Sequence, residues 1–106
     1  MKKISTLKEF YNAIETHDKV ITFWHTKWCP DCIVIKPHLP KLEKEFDAFD
    51  FLDIDRDELI DLAKHLEVFG IPSFIVFENG DEVDRLVNKR RKTYSEVKTF
   101  IQNSTT

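Results

Sequence analysis

Two thiols stand two residues apart in Trp28-Cys29-Pro30-Asp31-Cys32, and they are the chain's only cysteines. A cysteine thiolate can attack a disulfide, and it can also bind a metal. An apolar run from Val20 to Trp24 precedes the pair, and a helical pattern starts near Pro30. The pair is therefore expected where a strand ends and a helix begins. The first turn of a helix leaves backbone N–H groups unpaired, and the positive end of the dipole lies there. A cysteine at that end is favoured as thiolate, its reactive form. At this spacing the sulfurs occupy neighbouring parts of one turn and can bond with little backbone movement. Cys29, at or just before the helix start, is expected to be the more exposed sulfur and to attack a substrate disulfide. Cys32, inside the first turn, is expected to resolve the mixed disulfide. The dithiol itself carries the two electrons, so no bound cofactor is needed.

The two residues between the sulfurs tune them. Pro30 falls at the first helical position, where its fixed φ fits and its missing N–H costs nothing. Asp31 suits the positive end of the dipole, yet its charge opposes a thiolate at Cys29. Asp31→Asn is therefore expected to lower the Cys29 pKa.

The composition bounds the rest. A chain of 106 residues with 42% hydrophobic content is expected to form a single domain, 1–106, around one compact core. Lysine and arginine number 16 against 19 acids, a formal charge of −3, which gives no reason to expect nucleic acid as a partner. No apolar run approaches the roughly 18–20 residues that cross a bilayer, so no membrane is expected either. The N-terminus turns charged at Lys8 and Glu9 before any apolar stretch of a signal peptide develops. The expected location is a reducing cytoplasm, where a close cysteine pair is more often catalytic or metal-binding than structural.

The elements that must position the pair follow from pattern. Met1–Ile4 reads as a short edge strand. Thr6-Leu7-Lys8-Glu9 fits a capping box, with Leu7, Phe10, Tyr11 and Ile14 on one face of a helix to about Thr16. Phe10 and Tyr11 are both expected in the core. Val20–His25 suits a central strand covered on both faces. A helix from about Pro30 to Phe46 contains Pro37 and Pro40, so a kink is expected there. Its buried stripe continues through Leu39, Leu42 and Phe46. Phe49–Asp55 reads as a second central strand. Asp55-Arg56-Asp57-Glu58 reads as a capped helix start, with Leu59, Leu62, Ala63 and Leu66 facing inward. Ser73–Phe77 and Glu82–Val87 form a hairpin around Asn79-Gly80. Lys89-Arg90-Arg91-Lys92 is a basic loop. Thr93-Tyr94-Ser95-Glu96 is a second capping box, opening a helix through about Gln102, and Asn103–Thr106 is expected to fray. Helices between parallel strands, with an antiparallel hairpin at the end, make an α/β sandwich on a mixed sheet.

The chain resembles the thioredoxin family over nearly its whole length. The resemblance rests on Trp28-Cys29-Pro30-Asp31-Cys32 in place of the usual WCGPC. It rests also on Phe23-Trp24, Pro37, Gly70-Ile71-Pro72-Ser73 and the Phe77-Glu78-Asn79-Gly80 turn. The WCPDC form is similar to a subgroup of thioredoxin-like proteins, the YtpP type. The resemblance implies a thioredoxin fold, a three-layer sandwich with a central mixed β-sheet flanked by helices. It implies a thiol–disulfide oxidoreductase acting on protein or low-molecular-weight disulfides through Cys29 and Cys32. It implies a cis Pro72 packed beside Cys29, and a backbone at Ile71 that binds an extended substrate strand, with Trp28 shaping the site. The expected partners are disulfide-containing proteins and an upstream reductase, either thioredoxin reductase or a low-molecular-weight thiol system. A monomer is expected.

The chain departs from the family's pattern in three places. Thr22 stands where thioredoxin carries a buried Asp beneath the cysteines, and Phe51 replaces the accompanying Lys. A hydroxyl is no base near neutral pH, so Thr22→Asp is expected to accelerate turnover. The glycine ahead of the last helix is missing, and Lys89–Lys92 occupies its region. That run reads either as a solvated loop or as a docking surface for an acidic partner or an anionic small thiol. The slow resolution expected from Thr22 leaves a second reading, a non-catalytic thioredoxin-fold adaptor or redox sensor. A weaker third reading is zinc binding. A structural zinc site needs four ligands, and beyond the cysteines the chain offers only the scattered His17, His25, His38 and His65.

Overall fold

The computed structural model describes residues 1–104. Five strands form one sheet: β1 (Lys2–Ile4), β2 (Lys19–His25), β3 (Asp50–Asp55), β4 (Ser73–Glu78) and β5 (Asp81–Leu86). Their spatial order is β1-β3-β2-β4-β5. β3 runs parallel to both β1 and β2, and β4 runs antiparallel to β2 and β5. The helices are α1 (Leu7–Thr16), α2 (Pro30–Ile35), α3 (Leu39–Glu45), α4 (Ile60–His65) and α5 (Tyr94–Ser104).

Strand β2 lies between β3 and β4, and every residue from Val20 to His25 is buried, as a continuous apolar run requires. Alternation sends its side chains to two packed faces. Val20 and Trp24 join Phe10, Ala13 and Ile14 of α1 and Leu62 and Ala63 of α4. Ile21 and Phe23 join Leu39 and Leu42 of α3 and Val97 and Ile101 of α5. Each fully buried side chain of this kind contributes roughly 1.5–3 kcal/mol of transfer free energy.

Local chemistry explains most element ends. The Glu9 N–H donates to Thr6 Oγ1 at 3.1 Å, and the Glu96 N–H donates to Thr93 Oγ1 at 3.1 Å. Asn79 (φ 52°) and Gly80 (φ 87°) both take the left-handed conformation that a two-residue hairpin turn demands.

Four expectations change. The segment expected as one kinked helix stays helical from Pro30 to Glu45 but changes type where the kink was expected. Pro37 lies in a single 3₁₀ turn, Lys36–His38, which separates α2 from α3, and Pro40 sits in the first turn of α3. Two prolines three apart remove too many helical bonds for one continuous ladder. Asp55 closes β3 and caps a helical turn as expected, but that turn is separate from α4. Its Oδ1 accepts from the N–H groups of Asp57 (2.9 Å) and Glu58 (3.3 Å) and its carbonyl from the Leu59 N–H (3.1 Å), and non-helical backbone at Leu59 (φ −114°, ψ 47°) delays α4 to Ile60. Tyr11 and Leu7 stand exposed at the rim of the α1 stripe, because Ala13 shares the buried centre with Phe10 and Ile14. Asn103 and Ser104 close α5, with the Ser104 hydroxyl 2.9 Å from Asp84 Oδ2, while the remainder of the tail lies outside the described residues.

Candidate active site at the start of α2

Strand β2 ends at His25, and a short loop delivers Trp28 and Cys29 to the start of α2. Cys29 is the N-cap of that helix, with Pro30 in its first turn. Its sulfur accepts the Cys32 N–H at 3.1 Å, so a first-turn amide that a helix leaves unpaired points directly at sulfur. Cys29 and Cys32 are paired as a disulfide with their Cα atoms 5.3 Å apart. Both are buried, Cys29 at 5% and Cys32 at 2% exposure. What separates them is outlook. Cys29 borders an open groove of about 320 Å³, and Cys32 does not.

The groove brings together residues from distant parts of the chain. Trp28 forms one wall and Ile71 another, and Phe69 stands beside Ile71. The Ile71–Pro72 bond is cis. Ser73 begins the β4 ladder, so the Ile71 backbone lies beyond the strand pairing. Trp28 is 62% exposed, yet its indole N–H donates to Asp57 Oδ2 at 2.7 Å, which fixes the ring. The Arg56 guanidinium lies 5.7 Å from the centroid of the same ring.

Asp31 is not a lone charge beside the cysteines. Its Oδ1 accepts from Arg91 Nε at 3.0 Å, so an arginine of the basic loop offsets the carboxylate. Lys92 is no solvated residue either, being 1% exposed. Its Nζ donates to Asn88 O (3.0 Å), Asn88 Oδ1 (2.6 Å) and Arg90 O (2.7 Å), so each ammonium proton has an acceptor. The four-residue basic run thus splits by role: Lys92 is a buried tie, Arg91 an ion-pair partner, and Lys89 a wall of the groove. A reading as a uniformly solvated loop does not hold.

Thr22 is fully buried in β2. Its hydroxyl accepts from Trp24 Nε1 at 2.8 Å and donates to the Ile75 carbonyl at 3.2 Å. Phe51 packs in the core on the α3 and α5 side. His25 stacks on Phe23, with ring centroids 4.8 Å apart, and bonds Asp53 through Nε2. Burial alone would raise the Asp53 carboxyl. The His25 hydrogen bond and charge, with Lys36 and Lys3, outweigh it and hold that carboxyl below its ordinary value. Among the described residues, no three His, Cys, Asp or Glu side chains gather as a metal-ligand set.

Sequence reasoning alone did not bring Arg56, Asp57 or Phe69 to the site, and it placed Arg91 there only as part of the basic run, not against Asp31. The Asp31–Arg91 pair joins residues 60 positions apart, and no local pattern signals it.

Comparison with known proteins agrees with this geometry. The thioredoxin family model matches residues 2–103. A thioredoxin of Staphylococcus epidermidis is 39% identical over 88 residues, covering 82% of this chain and 84% of that protein. The mitochondrial thioredoxin-3 of Saccharomyces cerevisiae is 33% identical over 85 residues, covering 80% of this chain and 67% of that protein. The crystal structure of the oxidised yeast mitochondrial protein superposes with a TM-score of 0.86 at 28% identity, covering 97% of this chain and 94% of the other. A Plasmodium falciparum thioredoxin superposes at 0.89 with 26% identity, covering 97% and 98%. With its paired cysteines at a helix start, its mixed sheet and these relatives, the chain belongs to the thioredoxin family.

Proposed function

We propose that the chain reduces disulfides in proteins or small thiol compounds by dithiol–disulfide exchange at Cys29 and Cys32. As a thioredoxin-family protein it is a thiol–disulfide oxidoreductase. The observation that carries the assignment of roles is that Cys29, and not Cys32, borders the groove. The Cys29 thiolate attacks one sulfur of the substrate disulfide and releases the other as a thiolate, forming a mixed disulfide. Cys32 then attacks Cys29 Sγ, releases the second substrate thiol and closes the Cys29–Cys32 bond. Two electrons pass from the dithiol to the substrate. Trp28 and Ile71 wall the groove, Pro72 fixes the turn beside it, and Pro30, Asp31 and Thr22 tune the pair. A reductase or a low-molecular-weight thiol restores the dithiol. The protein acts as a monomeric single domain, 1–106, in a reducing cytoplasm. No helix among the described residues is long and apolar enough to cross a membrane.

The test is insulin reduction driven by dithiothreitol, with Cys29→Ser in parallel. The wild type is expected to precipitate insulin well above the dithiothreitol background, and Cys29→Ser only at background. Cys32→Ser is expected to hold substrates on Cys29 as stable mixed disulfides. A wild type no faster than background would favour an adaptor or sensor instead.

A further inference from the structure

The groove beside Cys29 carries more positive charge than its own acids match. Asp31 is taken by Arg91. Asp57 is shared between the Trp28 indole and Arg56 Nη2, the latter at 3.3 Å. Lys89 also lines the groove and has no ion-pair partner among the described residues. Arg56 is incompletely satisfied as well, since its Nε is buried without an acceptor. One unpaired cation, Lys89, thus stands at the opening beside an Arg56 whose charge Asp57 already meets, in a chain whose formal charge is −3.

Lys89 is held in place. The Lys92 ammonium ties together Asn88 and Arg90, the residues on either side of it. On its other side the loop packs against Gly70. A Cβ at Gly70 would stand 2.3 Å from the Asn88 carbonyl carbon and 2.7 Å from the Lys89 nitrogen. The backbone bearing Lys89 therefore lies directly against Gly70, which with Ile71 forms one wall of the groove. Phe69, 63% exposed, and Trp28 supply apolar contact on the flanks.

We infer that Lys89 is a specificity residue, and that this groove selects extended peptide strands whose disulfide cysteine is flanked by an acidic residue. The inference rests on the oxidoreductase reading above. A strand laid along Ile71, with its cysteine at Cys29, carries a neighbouring side chain past Lys89. A carboxylate there gains an unmatched cation, and a lysine there meets like charge. The groove is open and apolar-walled, which suits a strand better than a small, strongly hydrated anion. For an exposed charge pair the expected discrimination is about threefold for each charge changed.

The experiment uses the pre-reduced protein against three peptide disulfides, identical except for Glu, Gln or Lys beside the cysteine. In each reaction the protein dithiol becomes the Cys29–Cys32 disulfide, and each peptide disulfide becomes two thiols. Thiol release is followed under single-turnover conditions, and the Glu-to-Lys rate ratio is read within each protein. The wild type is expected to prefer Glu over Gln about threefold and Gln over Lys by a similar factor. High salt is expected to bring the ratio near one. Lys89→Gln is expected to reduce the ratio and Lys89→Glu to reverse it. A wild-type ratio of one, or a Lys89→Glu ratio equal to the wild type's, overturns the inference while leaving the oxidoreductase reading intact. No thiol release from any peptide overturns both. A further arm uses 3,3′-dithiodipropionate, a small dicarboxylate disulfide. Dependence on Lys89 there, with none for the peptides, overturns strand selection.

Discussion

Asp31 and Arg91 form an ion pair at the start of α2, beside Cys29. The carboxylate follows Pro30 in the first turn of α2, and the guanidinium reaches it from the loop before α5 at 3.0 Å. Each acts on the thiolate with opposite sign, so the pair together is nearly neutral. Removing one member exposes the other. Asp31→Asn leaves Arg91 unopposed and is expected to lower the Cys29 pKa. Arg91→Ala leaves Asp31 unopposed and is expected to raise it. Both charges are partly solvated, so each change is expected to be about half a pH unit. Thiolate absorbance or iodoacetamide labelling against pH measures both. Equal values for Arg91→Ala and the wild type would show that Arg91 does not reach the sulfur electrostatically, and equal values for Asp31→Asn would show the same of Asp31. Thr22 illustrates a different kind of residue. Its hydroxyl is used twice, by the Trp24 N–H and the Ile75 carbonyl, and so bridges a core indole to β4. A carboxylate there could accept from Trp24 but would face the Ile75 oxygen unless protonated, so any gain in proton transfer comes with a cost in stability.

At the scale of elements, the end of α4 shows where strain is stored. The Val68 N–H donates to the Ala63 carbonyl at 2.8 Å and the Glu67 N–H to the Lys64 carbonyl at 3.1 Å, the paired bonds of a Schellman motif. The motif needs a left-handed residue, and here it is Glu67 at φ 58°, a position that favours glycine. Arg85 secures the turn by donating from Nη2 to the Leu66 carbonyl at 2.9 Å and from Nη1 to the Glu67 carbonyl at 3.3 Å. Both are backbone acceptors and survive substitution. Glu67→Gly relieves the left-handed cost, offset in part by the freer unfolded chain, and is expected to stabilise by about 0.5–1 kcal/mol. A urea midpoint that falls in the variant would count against that account. Local signals of this kind govern what the sequence reveals. Thr6, Thr93 and Asn79-Gly80 act through neighbours within four residues, so caps and hairpin were legible. So was the Cys29–Cys32 turn, because strand, proline and cysteines are contiguous. The Asp55 cap was legible too, but the break at Leu59 that separates its turn from α4 was not, because nothing in Leu59-Ile60 marks it. Tyr11 was misread because helical spacing does not say where a stripe ends. The charge pairing at the groove was hidden because α2 meets the loop before α5 only once the sheet has formed.

For the molecule as a whole, the knot around Lys92 links that loop to global stability through pH. Its ammonium is surrounded by three oxygens, but burial strips its hydration and pushes its pKa from 10.5 down to about 8. Attraction from Glu96 of α5 and Asp31 of α2 opposes this shift, and Arg90 in the same loop adds to it. In the unfolded chain the same lysine keeps its ordinary value. Between about pH 8 and 10.5 the unfolded state therefore holds a proton that the folded state has released. Stability rises with pH wherever the unfolded state binds more protons, so in this window Lys92 makes the fold more favourable as pH increases. Other groups also titrate there, which makes a reference variant necessary. Lys92→Met keeps the length and apolar stem of the side chain and removes the titration. With both proteins in the disulfide form, the unfolding free energy of the wild type minus that of Lys92→Met is expected to stay flat below about pH 8 and to grow in favour of the wild type towards pH 10. A difference that stays constant would mean the three oxygens fully replace the lost hydration. One that shrinks with pH would mean they favour the charged form, and that Lys92 stabilises the loop as an ammonium.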